Sequence, residues 1–84
     1  MVKNLKDHKY AQCKVEIEGD EINFISYWTR VITIKFEEGR RFIECTGTYS
    51  PTTRKQIGWF LKEYADDLSY YNMKAIAGEG MVEM

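Results

Sequence analysis

The sequence predicts an α+β domain, an antiparallel four-stranded β-meander packed by one amphipathic α-helix and followed by a short C-terminal tail. Three observations carry that prediction. Apolar and polar residues alternate through much of residues 11–49, the period of half-buried strands. Two turn signals, Gly19-Asp20 and Glu38-Gly39, punctuate the alternation. Ile57, Phe60, Leu61, Tyr64 and Leu68 then fall at i, i+3, i+4, i+7 and i+11, one apolar stripe on a helix.

Residues 1–9 read as a polar arm around Leu5. The meander begins at Ala11, with Ala11, Cys13, Val15 and Ile17 on one face and Gln12, Lys14, Glu16 and Glu18 on the other. Ile22, Phe24, Ile32, Ile34 and Phe36 keep even parity, so residues 22–36 have the pattern of one strand. Such a strand would run about 50 Å at about 3.3 Å per residue. A domain of this length is only about 30 Å across. The chain must therefore turn or bulge at 27–30. An odd-length loop keeps the parity, whereas a two-residue hairpin flips it and buries Thr33 and Lys35. Arg41 to Tyr49 reads as the fourth strand, with Ile43, Cys45 and Tyr49 on one face. Ser50-Pro51 breaks it, and the helix occupies 51–68. Residues 69–84 are either a further short element or a tail.

Composition bounds the function. With 44% apolar and 14% aromatic residues the 84-residue chain is a single small globular domain rather than a disordered segment. A net charge of −1 lacks the basic excess usual in nucleic-acid-binding domains. No stretch approaches the roughly 20 apolar residues of a membrane span, and no signal-peptide pattern opens the chain. The expectation is a cytoplasmic protein with no membrane partner and two reduced thiols. Cys13 and Cys45 both fall on the inward face, where cysteine behaves as a small hydrophobe. His8 is the only histidine, and no catalytic, metal or phosphate-loop spacing accompanies it. The expectation is no enzyme, no cofactor and no metal.

Ser26, Tyr27 and Thr29 form an SY-x-T segment, and GTYSPTTRKQIGWFLKEYA follows at 47–65. Over residues 15–66 the chain thereby resembles a family of small, uncharacterised phage and prophage proteins with SY-x-T, G-x-YS-x-TT and FL-x-EY segments. Members often carry histidine where this chain has Gln56. The resemblance implies a bacteriophage origin and the cytoplasm of an infected bacterium. It implies no activity.

Several constellations are candidates for contact with a partner. Trp59 lies about 200° around the helix from Ile57, opposite the apolar stripe. The C-terminal tail, a lysine stem or a partner could cover it. Threading the meander gathers Asp20, Glu21, Glu37, Glu38, Asp66 and Asp67 at one end, beside a helix C-terminus that is partly negative. The other end holds Arg30, Arg54 and Lys55. There the Thr52/Thr53/Arg54/Lys55 helix start is either a cap or an anion site, since both use the same N–H groups. Ile25, Tyr27, Val31 and Phe42 make the outward sheet face unusually apolar, which suits a homodimer or cover by Leu5 and Tyr10 of the arm.

Three functions follow as expectations. The first is a phage-encoded, non-enzymatic protein that binds a host or phage macromolecule stoichiometrically through Trp59 and the acidic end, an anti-defence (anti-CRISPR-like) inhibitor being its concrete form. The second is a small nucleic-acid-binding domain using Arg30, Arg54, Lys55 and a stacking Trp28 or Trp59. The third is a homodimeric assembly accessory.

Overall fold

The computed structural model describes residues 1–47 and 49–84. Among them six strands pair in chain order into one antiparallel sheet. They are β1 (Val2–Lys3), β2 (Cys13–Glu18), β3 (Glu21–Ser26), β4 (Thr29–Glu37), β5 (Arg40–Cys45) and β6 (Val82–Glu83). Two helices, α1 (Pro51–Tyr64) and α2 (Tyr70–Ile76), complete the fold. The α+β meander is as expected, but with six strands in place of four and two helices in place of one. Both additions come from segments too short to show a period. The arm contributes β1 through Val2↔Glu16, and the tail contributes β6 through Ile43↔Val82. Each two-residue strand closes one edge of the sheet and leaves little unpaired backbone exposed.

The core lies between the sheet and the helices. Val15, Phe24, Ile32, Ile34 and Ile43 from the strands, with Ile57, Phe60 and Met73 from the helices, are all 0% exposed. Phe24 stacks on Phe60 at 4.7 Å, and Phe60 on Tyr64 at 5.3 Å. Leu5 joins this core at 2% exposure. The arm therefore crosses on the helical side, and the expected cover of the outward sheet face by Leu5 and Tyr10 does not form; Tyr10 is 87% exposed.

Residues 27–31 hold both a two-residue hairpin and a bulge. Ser26 pairs with Thr29 around a Tyr27-Trp28 turn, and the register shifts so that Phe24 pairs with Ile32 and Val31 is the extra residue. The bulge returns the parity that the turn takes away, so Ile32 and Ile34 stay inward. Tyr27 and Trp28 sit at φ 49° and 70°. That both-positive pattern belongs to a type I′ turn, where Asn-Gly is favoured and bulky aromatics are strained. Replacing Tyr27-Trp28 by Asn-Gly should therefore stabilise the fold by about 1 kcal/mol, a rise of roughly 4–8 °C in Tm by calorimetry.

The strand expected to reach Tyr49 ends at Cys45, and residue 48 lies outside the described residues. Gly47 follows at φ 86°, and a Cβ there would meet the Ala77 Cβ at 3.0 Å. Glycine is required for both reasons, because α2 folds back onto this turn and the Gly78 N–H donates to the Cys45 carbonyl at 2.9 Å. The helix expected over 51–68 ends at Tyr64. The Ser69 N–H then donates to Asn72 Oδ1 at 2.7 Å as α2 begins.

Candidate functional site

Between α1 and the sheet, the SY-x-T and YS-x-TT segments meet. Ser50 caps α1, its Oγ accepting from the Thr53 N–H at 3.1 Å, with Pro51 at the first helical position. The Ser50 hydroxyl donates to Thr53 Oγ1 at 3.0 Å, and the Ser26 hydroxyl to Gln56 Oε1 at 2.5 Å. With those two protons assigned, the 3.2 Å contact between Thr53 and Ser26 has Thr53 as donor. Ser26, Thr53 and Gln56 are 2%, 7% and 2% exposed. Thr53 and Gln56 thus extend the buried stripe of α1 as a polar continuation. Ser50 is the cap of α1, and Thr53 lies inside the helix. Thr53 is not free for an anion at the helix start, where Thr52, Arg54 and Lys55 are exposed.

The outward sheet face is held by a second polar chain. Arg30 pairs with Glu44 at 3.0 Å and donates to Thr33 Oγ1. Thr33 donates to Asn23 at 2.6 Å, and Asn23 to Glu21 at 3.2 Å. Thr33 is buried here on the outward side, not by a flipped register. This chain divides the residues expected to make a dimer face. Val31 is 3% exposed, Ile25 is paired with Lys14 and Arg30, and Phe42 with Lys35 and Glu83, which leaves Tyr27 as the exposed member. Arg30 is likewise separated from Arg54 and Lys55, which lie on the helical side.

The acidic end is brought together and partly neutralised. Arg41 donates to both oxygens of Asp67 at 2.9 and 2.7 Å, and these hydrogen bonds hold the Asp67 carboxyl below its ordinary pKa. Lys35 lies 3.9 Å from Glu37, and the Asp20 carbonyl accepts from the Phe36 N–H. Glu38 is in the β4–β5 turn, with Asp66 after α1; both are exposed. Among the described residues no three His, Cys, Asp or Glu side chains converge as metal ligands. No helix among the described residues is long and apolar enough to cross a membrane.

Burial pushes the Cys13 and Cys45 thiols above their ordinary 9.0, keeping them protonated near neutrality. Tyr49, which shares a hydrogen bond with the Cys45 sulfur, is raised by burial and that contact, and burial pushes Tyr64 up to about 12. All four groups have raised native pKa values, so the stability they contribute is present below their unfolded pKa values and lost as pH climbs through the native ones. Urea midpoints should hold from neutrality to about pH 8.5 and fall steadily beyond it. A thiol reagent should label the native chain slowly at pH 8 and the unfolded chain at once.

Trp59 is covered neither by the tail nor by a lysine alone. The arm passes over α1 and stacks His8 on it, centroids 3.7 Å apart and rings 9° from parallel. Lys55 Nζ stands 5.2 Å from the Trp59 ring, and the Lys6 N–H donates to Glu63 at 2.7 Å. Two open grooves of about 550 Å³ share the stack, one lined by Lys6, Lys62 and Glu63, the other by Lys9, Tyr10 and Ala11. The described ion pairs use Arg30, Lys35, Arg40 and Arg41, none of them in these grooves. Lys6, His8 and Lys62 were not among the partner-contact residues expected from the sequence. Leu5 was the available signal, since one large apolar side chain in a polar arm anchors that arm to a core.

No curated protein and no solved structure matches the chain. Residues 1–76, the arm and α2 included, match a family of unknown function, DUF8033, and the chain belongs to that family.

Proposed function

We propose that this is a non-enzymatic binding protein that acts stoichiometrically on another macromolecule through the surface where the arm crosses Trp59. One observation carries the reading. A tryptophan–histidine stack lies between two open grooves, and the lysines around it are absent from the described ion pairs. Half-buried aromatics ringed by mobile charge are typical anchors for a partner. The buried, protonated thiols and a histidine stacked on an indole support a role without nucleophilic chemistry.

The resemblance to phage proteins suggests a host or phage macromolecule in the bacterial cytoplasm as partner, with an anti-defence inhibitor as one form. The acidic end draws less support for that role, because Asp67 and Glu37 already have cationic neighbours. Capture from bacterial extract tests the reading, with retained protein and nucleic acid identified separately. The wild-type chain should hold one partner in near-equimolar amount, and both Trp59→Ala and the surface variant Lys55→Glu/Lys62→Glu should lose it. Absence of any stoichiometric partner sinks the proposal. Loss on charge reversal at Glu37 and Glu38 alone would move the contact to the acidic end.

A further inference from the structure

Three lysine–aromatic pairs lie along the course of the arm, from the helical side to the start of β2. Lys55 stands over Trp59 at 5.2 Å, Lys9 over Tyr10 at 5.0 Å and Lys14 over Trp28 at 5.8 Å. The chain itself joins them. The groove beside Trp59 and His8 runs along the arm to Tyr10 and Ala11. A small cleft lined by Ala11, Gln12, Lys14, Tyr27 and Trp28 continues it, and the Tyr27 N–H donates to the Gln12 carbonyl at 2.9 Å. Tyr10 and Trp28 are 87% and 85% exposed, and the outer face of His8 extends the Trp59 stack.

Charge and strain both mark this stretch. Lys6, Lys9, Lys14 and Lys62 line these grooves and Lys55 stands over Trp59, while Asp7 and Glu63 are the acids in the same linings, so five of the 12 basic residues of a chain of net charge −1 lie beside these rings. At the far end Trp28 is held at φ 70° in a turn that glycine or asparagine would occupy without strain. A fold that keeps an exposed tryptophan in so unfavourable a conformation points to a use for that ring.

We propose that this band binds a single-stranded nucleic acid, the lysines following its phosphates and Trp28, Tyr10 and His8 offering faces to its bases. The proposal rests on the binding role argued above and names the partner of the same surface. Single strands fit because unstacked bases can lie on aromatic faces, which a duplex keeps inside. An acidic protein would satisfy the lysines but leave the exposed rings of Tyr10 and Trp28 without a role.

Anisotropy of labelled (dT)20 and (rU)20 mixed with the full-length chain tests this. Binding of either supports the proposal, and the tighter of the two identifies DNA or RNA. Three or four phosphates at about 0.7 counterions each should weaken binding roughly 20- to 50-fold between 50 and 200 mM salt. Trp28→Asn, which keeps the turn, should weaken it about 5- to 100-fold with no loss of thermal stability. The proposal is overturned if neither oligonucleotide binds at 50 mM salt, if a 20-base-pair duplex binds equally well, or if Trp28→Asn leaves affinity unchanged. Displacement by polyglutamate of matched charge would also overturn it and assign the surface to an acidic protein. If the oligonucleotides fail while extract capture still yields a Trp59-dependent protein, the binding role stands and this inference alone falls.

Discussion

Replacing Phe60 by alanine is expected to remove about half of the stability of the fold. Its ring is 0% exposed and lies between Phe24 at 4.7 Å and Tyr64 at 5.3 Å, where the helical layer meets the sheet. Truncating such a side chain costs about 3–5 kcal/mol, since the lost transfer energy is joined by an unfilled cavity. A chain of this length has a total margin of roughly 4–12 kcal/mol. The urea midpoint at 25 °C, followed by far-ultraviolet circular dichroism, should therefore fall by roughly half. Phe60→Leu, which keeps most of the volume, should cost less than about half as much. A Phe60→Ala chain within about 1 kcal/mol of wild type would mean that α1 does not pack as described.

Gln56→Leu is expected to cost about 1–3 kcal/mol, although it places an apolar side chain in a buried position. The Ser50, Thr53 and Ser26 hydroxyls donate in one direction, and Gln56 Oε1 is the acceptor that ends the chain. Without it, the Ser26 proton is buried with no partner. Removing Ser26 as well should relieve that orphan, so Ser26→Ala/Gln56→Leu should cost less than the sum of the single changes, with a coupling of about 0.5–3 kcal/mol. Strict additivity in urea unfolding would dismiss the chain as an energetic unit. Gln56→His keeps an acceptor nitrogen. It should be milder than Gln56→Leu above the ordinary histidine pKa of about 6.5.

The hairpin at Tyr27-Trp28 shows why some of the fold was legible and some was not. Even parity from Ile22 to Phe36 correctly placed Phe24, Ile32 and Ile34 inward, because burial of one face sets the register. The same parity could not reveal a turn and a bulge whose effects cancel at Val31. The α1 stripe was readable because five apolar residues repeat with helical spacing. Its polar end was not, since Thr53 and Gln56 look like cap residues until Ser26 arrives from a strand 27 residues away. Trp59 stood out as unpaired with the core, but its cover came from His8, and nothing in helical periodicity connects the two.

The sequence by itself determined the class of the molecule: an antiparallel meander, an amphipathic helix on its inner face and two inward cysteines. These are local matters of period, propensity and turn chemistry, which act over a few residues. Only the tertiary structure decided that the arm and the tail become edge strands, that α2 closes over Gly47, and that Arg41 claims Asp67. It also decided that Trp59, Tyr10 and Trp28 each stand beside a lysine along the course of the arm. Each of those outcomes depends on which distant side chains reach one another once the core is buried. A two-residue strand or a single exposed ring has no period of its own by which to announce its place.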